Sequence, residues 1–258
     1  MDELPVDDGL IVAAAANLAA WHDSSIHALG STTSTGSWWW TSSTPRPWIY
    51  FTAIALRPPR SAADRRASDL ELATHLDDPD GAFQAVCESF DRVELDDQGL
   101  HLRTRGLWFR RPAGPAPAGG PPGGPSGDEL EIVRVEAEDD LHDYERVTCA
   151  AFRAPPPVAP FEIHAPGILD DPRMHVLLGR VDGEIAGGAM AYVTDDLVGI
   201  YGVGVVPGHR GRGHATALTT TALALAPDRP AVLQPSAEAE RLYRRLGFAE
   251  IGGFTHWG

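Results

Sequence analysis

Val205-Val206-Pro207-Gly208-His209-Arg210-Gly211-Arg212-Gly213-His214-Ala215 is the stretch on which the fold turns. Leu197 to Val206 reads as a strand, which Pro207 must end because it cannot donate to a ladder. Beyond the glycines an apolar face at Ala215, Leu218, Ala222 and Leu225 marks a helix. A turn that runs from a strand directly into a helix presents several backbone N–H groups at a positive helix end, which makes it a cradle for an anion. Gly211 and Gly213 let the backbone approach the anion closely, and Arg210 and Arg212 add donors suited to phosphate oxygens. A pyrophosphate fits that description. Spacing excludes two other phosphate loops: no Gly-Lys-Ser/Thr ending follows, and glycines at 211 and 213 do not give Gly-x-Gly-x-x-Gly.

Working outward, Leu130 to Val135 alternates like a strand, and Asp139-Asp140 precede a helical stretch reaching Phe152-Arg153. A proline-rich loop follows. His175 to Arg180 and Ile185 to Val193 flank Asp182-Gly183, the strongest short hairpin signal in the chain, and predict two antiparallel strands. Ala231 to Gln234 is a short strand. Ala239, Leu242, Tyr243 and Leu246 form the face of a second helix closed by Gly247, and Phe248 to Trp257 finishes as strand. The order β-α-β-β-β-α-β-α-β predicts an α/β (α+β) layer.

The run from Pro112 to Pro125 is dominated by proline, glycine and alanine, with too few large apolar side chains to offset the entropy of ordering it. It predicts a first domain over 1–111, a linker over 112–128 and a second domain over 129–258. The first domain is less sharply marked. It reads as a helix at Leu10 to His22, a serine/threonine-rich loop and a strand at Trp48 to Leu56. Helices follow at Ala62 to Leu76 and near Phe83 to Phe90, then a hairpin from Val93 to Phe109. That hairpin loosely echoes the one around Asp182-Gly183, a hint of internal duplication.

With 43% hydrophobic and 22% charged residues in 258, the composition is that of a soluble globular protein. No run approaches the roughly 18 apolar residues of a membrane helix. The acidic opening Met1-Asp2-Glu3 is unlike a signal peptide and points to the cytoplasm. Cys87 and Cys149 fit no metal-ligand spacing, so neither zinc nor a disulfide framework is expected. A net charge of −15 repels nucleic acid and anionic membranes and attracts a cationic amine. All 21 basic residues are arginine, a bias attributed to a G+C-rich genome.

The turn resembles the signature of the GNAT superfamily of N-acetyltransferases, Arg/Gln-x-x-Gly-x-Gly/Ala, as Arg210 to Ala215, preceded by that family's Val-x-Pro as Val205 to Pro207. A second family element, Leu-Tyr-x-x-x-Gly-Phe, stands at Leu242 to Phe248. The resemblance covers residues 129 to 258. The whole chain is similar to actinobacterial proteins in which a degenerate acetyltransferase-like half precedes a complete one. It implies a mixed, largely antiparallel GNAT-type sheet flanked by helices, preceded by a smaller α/β half-domain. It also implies acetyl-CoA as cosubstrate, no metal, a small-molecule or peptide amine as acceptor, and leaves a homodimer open.

Residue by residue, the resemblance implies that Val203, Gly204 and Val205 run beside the pantetheine arm. Arg210, Gly211, Arg212, Gly213, His214 and Ala215 would hold the pyrophosphate, although Arg210 could instead serve only at the helix start. Tyr243 would protonate the leaving thiolate, with core packing as the alternative. Ser236 would contact the cofactor or cap the following helix. The carboxylate that the family commonly carries on its fourth strand is missing, since the aligned position is close to Gly199. Asp195, Asp196, Glu162, His164, Tyr201 and His256 are the other candidates for a base. The loop Ala154 to Phe161 could line an acceptor pocket, and Trp38, Trp39 and Trp40 either line one or pack between domains.

Overall fold

The protein is described by a computed structural model over residues 8–43, 47–76, 85–90, 95–116 and 129–258. Helix α1 (Asp8–Ala28) is followed by strands β1 (Thr33–Thr35), β2 (Trp39–Ser42) and β3 (Ala53–Ala55). Then come helix α2 (Ala62–Leu76), β4 (Val86–Glu88) and β5 (Leu102–Arg111). The second half supplies β6 (Leu130–Arg134), α3 (Glu138–Phe152), β7 (Met174–Val181), β8 (Glu184–Val193) and β9 (Val198–Val205). It ends with α4 (His214–Ala224), β10 (Ala231–Leu233), α5 (Glu240–Arg245) and β11 (Ala249–Trp257).

These elements sort into two units, one of residues 1–109, 234–238 and 250–258, the other of 110–233 and 239–249. The first unit carries strands in the order β1-β2-β3-β4-β11-β5, so the C-terminal strand lies between β4 and β5. Its core gathers Ile11, Leu18, Trp39, Trp40, Ile54, Leu72 and Trp108. Trp39 and Trp40 therefore pack inside this unit. The Trp39 indole donates to Ser68 Oγ at 3.0 Å and the Trp40 indole to Asp23 at 3.2 Å, which satisfies the polar edge of each ring.

Three expectations for this half are corrected. The serine/threonine-rich loop contains β1 and β2, because Glu71 on α2 accepts the N–H groups of Ser37, Trp38 and Trp39 and fixes the start of β2. The helix near Phe83 to Phe90 gives way, in its described residues, to strand β4. Val86 pairs with Ala53, and Val86 to Glu88 pair with Trp257 to Thr255, so tertiary pairing overrides a weak helical pattern. Among the described residues the Val93–Phe109 hairpin is not formed as such. Residues 93 and 94 lie outside the described set, Asp96–Gln98 form a 3-10 turn, and β11 is the first-unit neighbour of β5.

In the second unit the strand order is β10-β9-β8-β7-β6, antiparallel except for the β9/β10 pair. The hairpin turns at Asp182 (φ 50°) and Gly183 (φ 81°), the positive-φ pair that a two-residue turn demands. A Cβ on Gly187 would meet Leu218 of α4 and one on Gly188 would meet Tyr144 of α3. Successive residues face opposite sides of a sheet, so α3 and α4 cover opposite faces. Arg180 on β7 bonds Asp140 at 2.9 Å and Asp143 at 2.6 Å, fastening α3 to its face. Of the expected linker, 117–128 lie outside the described residues. Its first residues are tied down: the buried Arg111 guanidinium donates to the carbonyl of Gly114 at 3.0 Å and to that of Leu246 at 3.0 Å.

Candidate active site

Strand β9 is paired with β10 only through Val198 and Gly199. From Ile200 to Val205 that edge of β9 has no strand beside it among the described residues. On its other edge the register jumps: Gly188 faces Gly204 but Met190 faces Tyr201, so Gly202 and Val203 together oppose Ala189. This is a β-bulge, and Gly202 sits in it at φ 58°. Val203, Gly204 and Val205 thus occupy the last residues of a strand that is bulged on one side and uncovered on the other. Gly204 allows α3 to close on the strand there, since a Cβ would lie 2.6 Å from that of Ala151.

Past β9 a 3-10 turn at Pro207–His209 leads to Gly211 (φ 76°) and Gly213 (φ 88°). A Cβ on either glycine would meet nothing within 4 Å, so the demand for glycine is conformational rather than steric. Gly213 is the N-cap of α4, and no side chain caps it. The first turn of a helix has no intrahelical acceptor for its N–H groups. Here that turn opens on a cavity of about 350 Å³.

Of the residues expected at the cofactor, Val205, Arg210, Gly211, Gly213, His214 and Ala215 line this cavity. Val203, Gly204, Arg212, Ser236 and Tyr243 are not among its walls. The Arg210 guanidinium donates to Val205 O at 3.0 Å and Ala151 O at 2.9 Å, clasping the end of β9 to the last turn of α3. Ser236 is exposed in the segment 234–238 that belongs to the first unit, and the N-cap of α5 is Ala239 rather than Ser236.

Besides His209 of the turn itself, the cavity has walls to which the sequence reading gave no cofactor role: Thr216, Leu242 and Arg245. Leu242 and Arg245 are three apart on α5 and so share a face. The signal was present, because Arg245 occupies a variable position of the Leu-Tyr-x-x-x-Gly-Phe element, one place before Leu246. Tyr243 is buried, its ring edge-on to Phe248 at 5.8 Å. Burial pushes its phenol up to about 12, with Thr219 on α4 as a hydrogen-bonding neighbour that opposes the rise. The phenol therefore stays protonated at neutral pH and can act as an acid but not as a base.

The candidate bases are constrained in turn. Gly199, buried on β9, offers no side chain, and Asp195 and Asp196 are exposed at the turn before the strand. Glu162 accepts the Val158 N–H at 2.8 Å. His164 is buried, which lowers its pKa to about 3 and keeps it neutral. A carboxylate the sequence reading passed over, Glu145 on α3, is fully buried and accepts the N–H groups of Phe161 (2.9 Å), Ile163 (2.6 Å) and His164 (3.4 Å). In the first unit the His256 ring lies between Phe51 (4.6 Å) and Phe254 (4.5 Å), and burial lowers its pKa to about 4. Among the described residues no cluster of three or more histidine, cysteine or acidic side chains is arranged to hold a metal.

The family model for the Acetyltransferase (GNAT) family matches residues 139–248, a span that holds α3, β7 to β10, both elements of the cavity and Tyr243. Residues 139–248 are thus similar to a GNAT acetyltransferase domain. Curated relatives are uncharacterized N-acetyltransferases of Mycobacterium tuberculosis and Mycobacterium bovis, 38% identical over 94 residues. The alignment spans 34% of this chain and 60% of each relative. Among solved structures, a GCN5-related N-acetyltransferase from Kribbella flavida superposes with a TM-score of 0.60 at 18% identity, over 93% of this chain and 95% of that one. A GCN5-related N-acetyltransferase from Sphaerobacter thermophilus gives 0.54 at 22%, over 80% and 70%. These likenesses establish the mixed, mostly antiparallel fold with flanking helices. The first of them extends over both units of the chain. No helix among the described residues is long and apolar enough to cross a membrane.

Proposed function

We propose that the protein is an N-acetyltransferase that moves an acetyl group from acetyl-CoA to a primary amine of a small molecule or peptide. The observation that carries this reading is the cavity at the start of α4, where a helix end without a side-chain cap meets Arg245 and Arg210. A pyrophosphate fits that donor set, because oriented N–H groups and guanidinia complement its charge and its oxygens.

Acetyl-CoA supplies the activated acyl group as a thioester. The chain's contribution begins with Gly211, Gly213, His214 and Ala215, whose backbone anchors the diphosphate. Arg212, beside the turn, adds positive charge. The uncovered edge of β9 from Val203 to Val205 offers N–H and C=O groups in strand geometry to the amides of the pantetheine arm, as an added strand would take them. Backbone N–H of the same strand stabilises the charge that develops on the acyl oxygen. Tyr243, protonated at neutral pH, is the proton donor for the departing thiolate. Ser236 is assigned a cofactor contact on the family resemblance alone. No metal enters this scheme; the acceptor attacks as its neutral amine, and the proton it sheds on forming the amide passes to water, since β9 presents glycine at 199.

That glycine favours a second reading, a catalytically silent acyl-CoA-binding sensor or scaffold. Glu145 and Glu162 are already engaged by loop N–H groups, which leaves them poorly placed as bases. Turnover separates the two readings. Under the enzyme reading a panel of primary amines releases free thiol from acetyl-CoA, and Tyr243→Phe lowers that release by roughly 10²- to 10⁴-fold while leaving CoA affinity intact. Binding without turnover on any amine would favour the sensor. Unchanged turnover in Tyr243→Phe would reduce Tyr243 to packing.

A further inference from the structure

The bulge in β9 is held by a side chain that carries none of the family's motifs. The Tyr144 hydroxyl on α3 donates to the carbonyl of Gly202 at 3.2 Å. An ordinary strand carbonyl lies in the plane of the sheet, directed at a neighbouring strand. This one meets a donor on a helix packed against the face of the sheet, so the Gly202–Val203 peptide is rotated out of the ladder. In a planar trans peptide the C=O and N–H point in opposite directions. The rotation that brings the Gly202 carbonyl toward α3 therefore turns the Val203 N–H away from α3.

Two glycines make room for this arrangement. A Cβ on Gly188 would lie 2.6 Å from the Tyr144 ring, and one on Gly202 would lie 2.3 Å from its hydroxyl oxygen. Tyr144 is wholly buried, and burial raises its pKa well above the usual phenol value, so the hydroxyl remains a donor across the pH range of the enzyme. Its own backbone carbonyl accepts from Thr148 at 3.1 Å, and the His164 ring lies 5.3 Å away. The phenol thus has a fixed place between α3 and the bulge.

We propose that Tyr144 is a positioning residue for acyl transfer: by holding the Gly202 carbonyl out of the β9 ladder, it aims the Val203 N–H at the thioester oxygen of the bound acyl-CoA. This rests on the acyl-CoA reading given above. Tyr144 touches neither substrate nor cofactor and acts only through the peptide it holds. Misaiming one preorganised donor costs less than deleting it, and deletion typically costs 10²- to 10³-fold in kcat.

The test compares wild type with Tyr144→Phe, which keeps the ring and removes the hydroxyl. The readouts are the infrared stretch of the thioester carbonyl in bound acetyl-CoA labelled with ¹³C at that carbon, the affinity for CoA itself, and kcat. The expected result is a carbonyl stretch at lower frequency on wild type than in solution, displaced back toward the solution value in Tyr144→Phe. A kcat lowered by roughly 10- to 100-fold with CoA affinity unchanged accompanies it. A merely structural role would move stability or affinity without moving the stretch. A wild-type shift that Tyr144→Phe leaves in place overturns the assignment of Tyr144 alone. Failure of wild type to bind acetyl-CoA overturns the acyl-CoA reading and this inference with it. Should Tyr144→Phe not fold, 3-fluorotyrosine incorporated at position 144 strengthens the donor with little change of shape. It is expected to lower the stretch further, and an unmoved stretch there overturns the proposal.

Discussion

Two irregular segments of the second unit treat their backbone N–H groups in opposite ways. The loop around Phe161 to His164 closes on an internal anion: Glu145, fully buried, accepts three of its N–H groups. The cavity at the turn from Arg210 to Ala215 has no carboxylate among its described walls. Gly213 caps α4 without a side-chain bond, and the turn faces a cavity whose charged walls are arginines. The contrast separates a segment that completes itself from one built to be completed by a ligand. Buried N–H groups need acceptors, which Glu145 supplies at the loop, whereas the turn opens on a cavity that an external anion can enter.

The largest effect that would sharpen this contrast is on stability. Glu145→Ala strands three N–H groups, and the loss expected in urea unfolding is on the order of 3–5 kcal/mol. Cofactor affinity in the folded fraction should be nearly unchanged. A small stability loss would mean that the loop does not depend on its internal anion, and the contrast would fail on that side.

Next in size is Arg245→Ala at the open turn. Loss of one charge-assisted contact to a phosphate predicts a roughly tenfold weaker acetyl-CoA affinity with little change in melting temperature. Undiminished affinity would remove Arg245 from the cradle. The smallest effect belongs to Glu162→Gln. That side chain is exposed and accepts a single N–H, from Val158, so a change within about 0.5 kcal/mol is expected in the same unfolding measurement. A larger loss would show that the loop has a second anchor of weight.

The open turn was readable in the sequence because its requirements are local. Positive φ at 211 and 213 calls for glycine, a strand end calls for Pro207, and the amphipathic helix α4 follows at once. The hairpin at Asp182-Gly183 was legible for the same reason. Arg245 was overlooked although it sits inside a recognised element, because only its spacing from Leu242 tells which way it faces. Glu145 was illegible: a glutamate in mid-helix looks like any solvated one until the loop 16 to 19 residues later folds over it. Tyr144 likewise reads as one apolar helix position, and its meaning depends on a bulge two strands away. In the first unit β1, β3 and β4 have three residues each, too few to show a period. They are specified by pairing and by bonds such as those of Glu71 to the start of β2, which no local pattern announces.

The central claim is that the turn at the head of α4 binds the diphosphate of acyl-CoA. Isothermal titration of the protein with acetyl-CoA, beside a Gly213→Val control, tests it most directly. Valine at φ 88° is strained, and its side chain would stand in the cradle. The account predicts micromolar binding by the wild type and a loss of at least tenfold in the control, with circular dichroism showing that the control is folded. Wild-type protein that does not bind acetyl-CoA, or a folded control that binds it equally well, would contradict it.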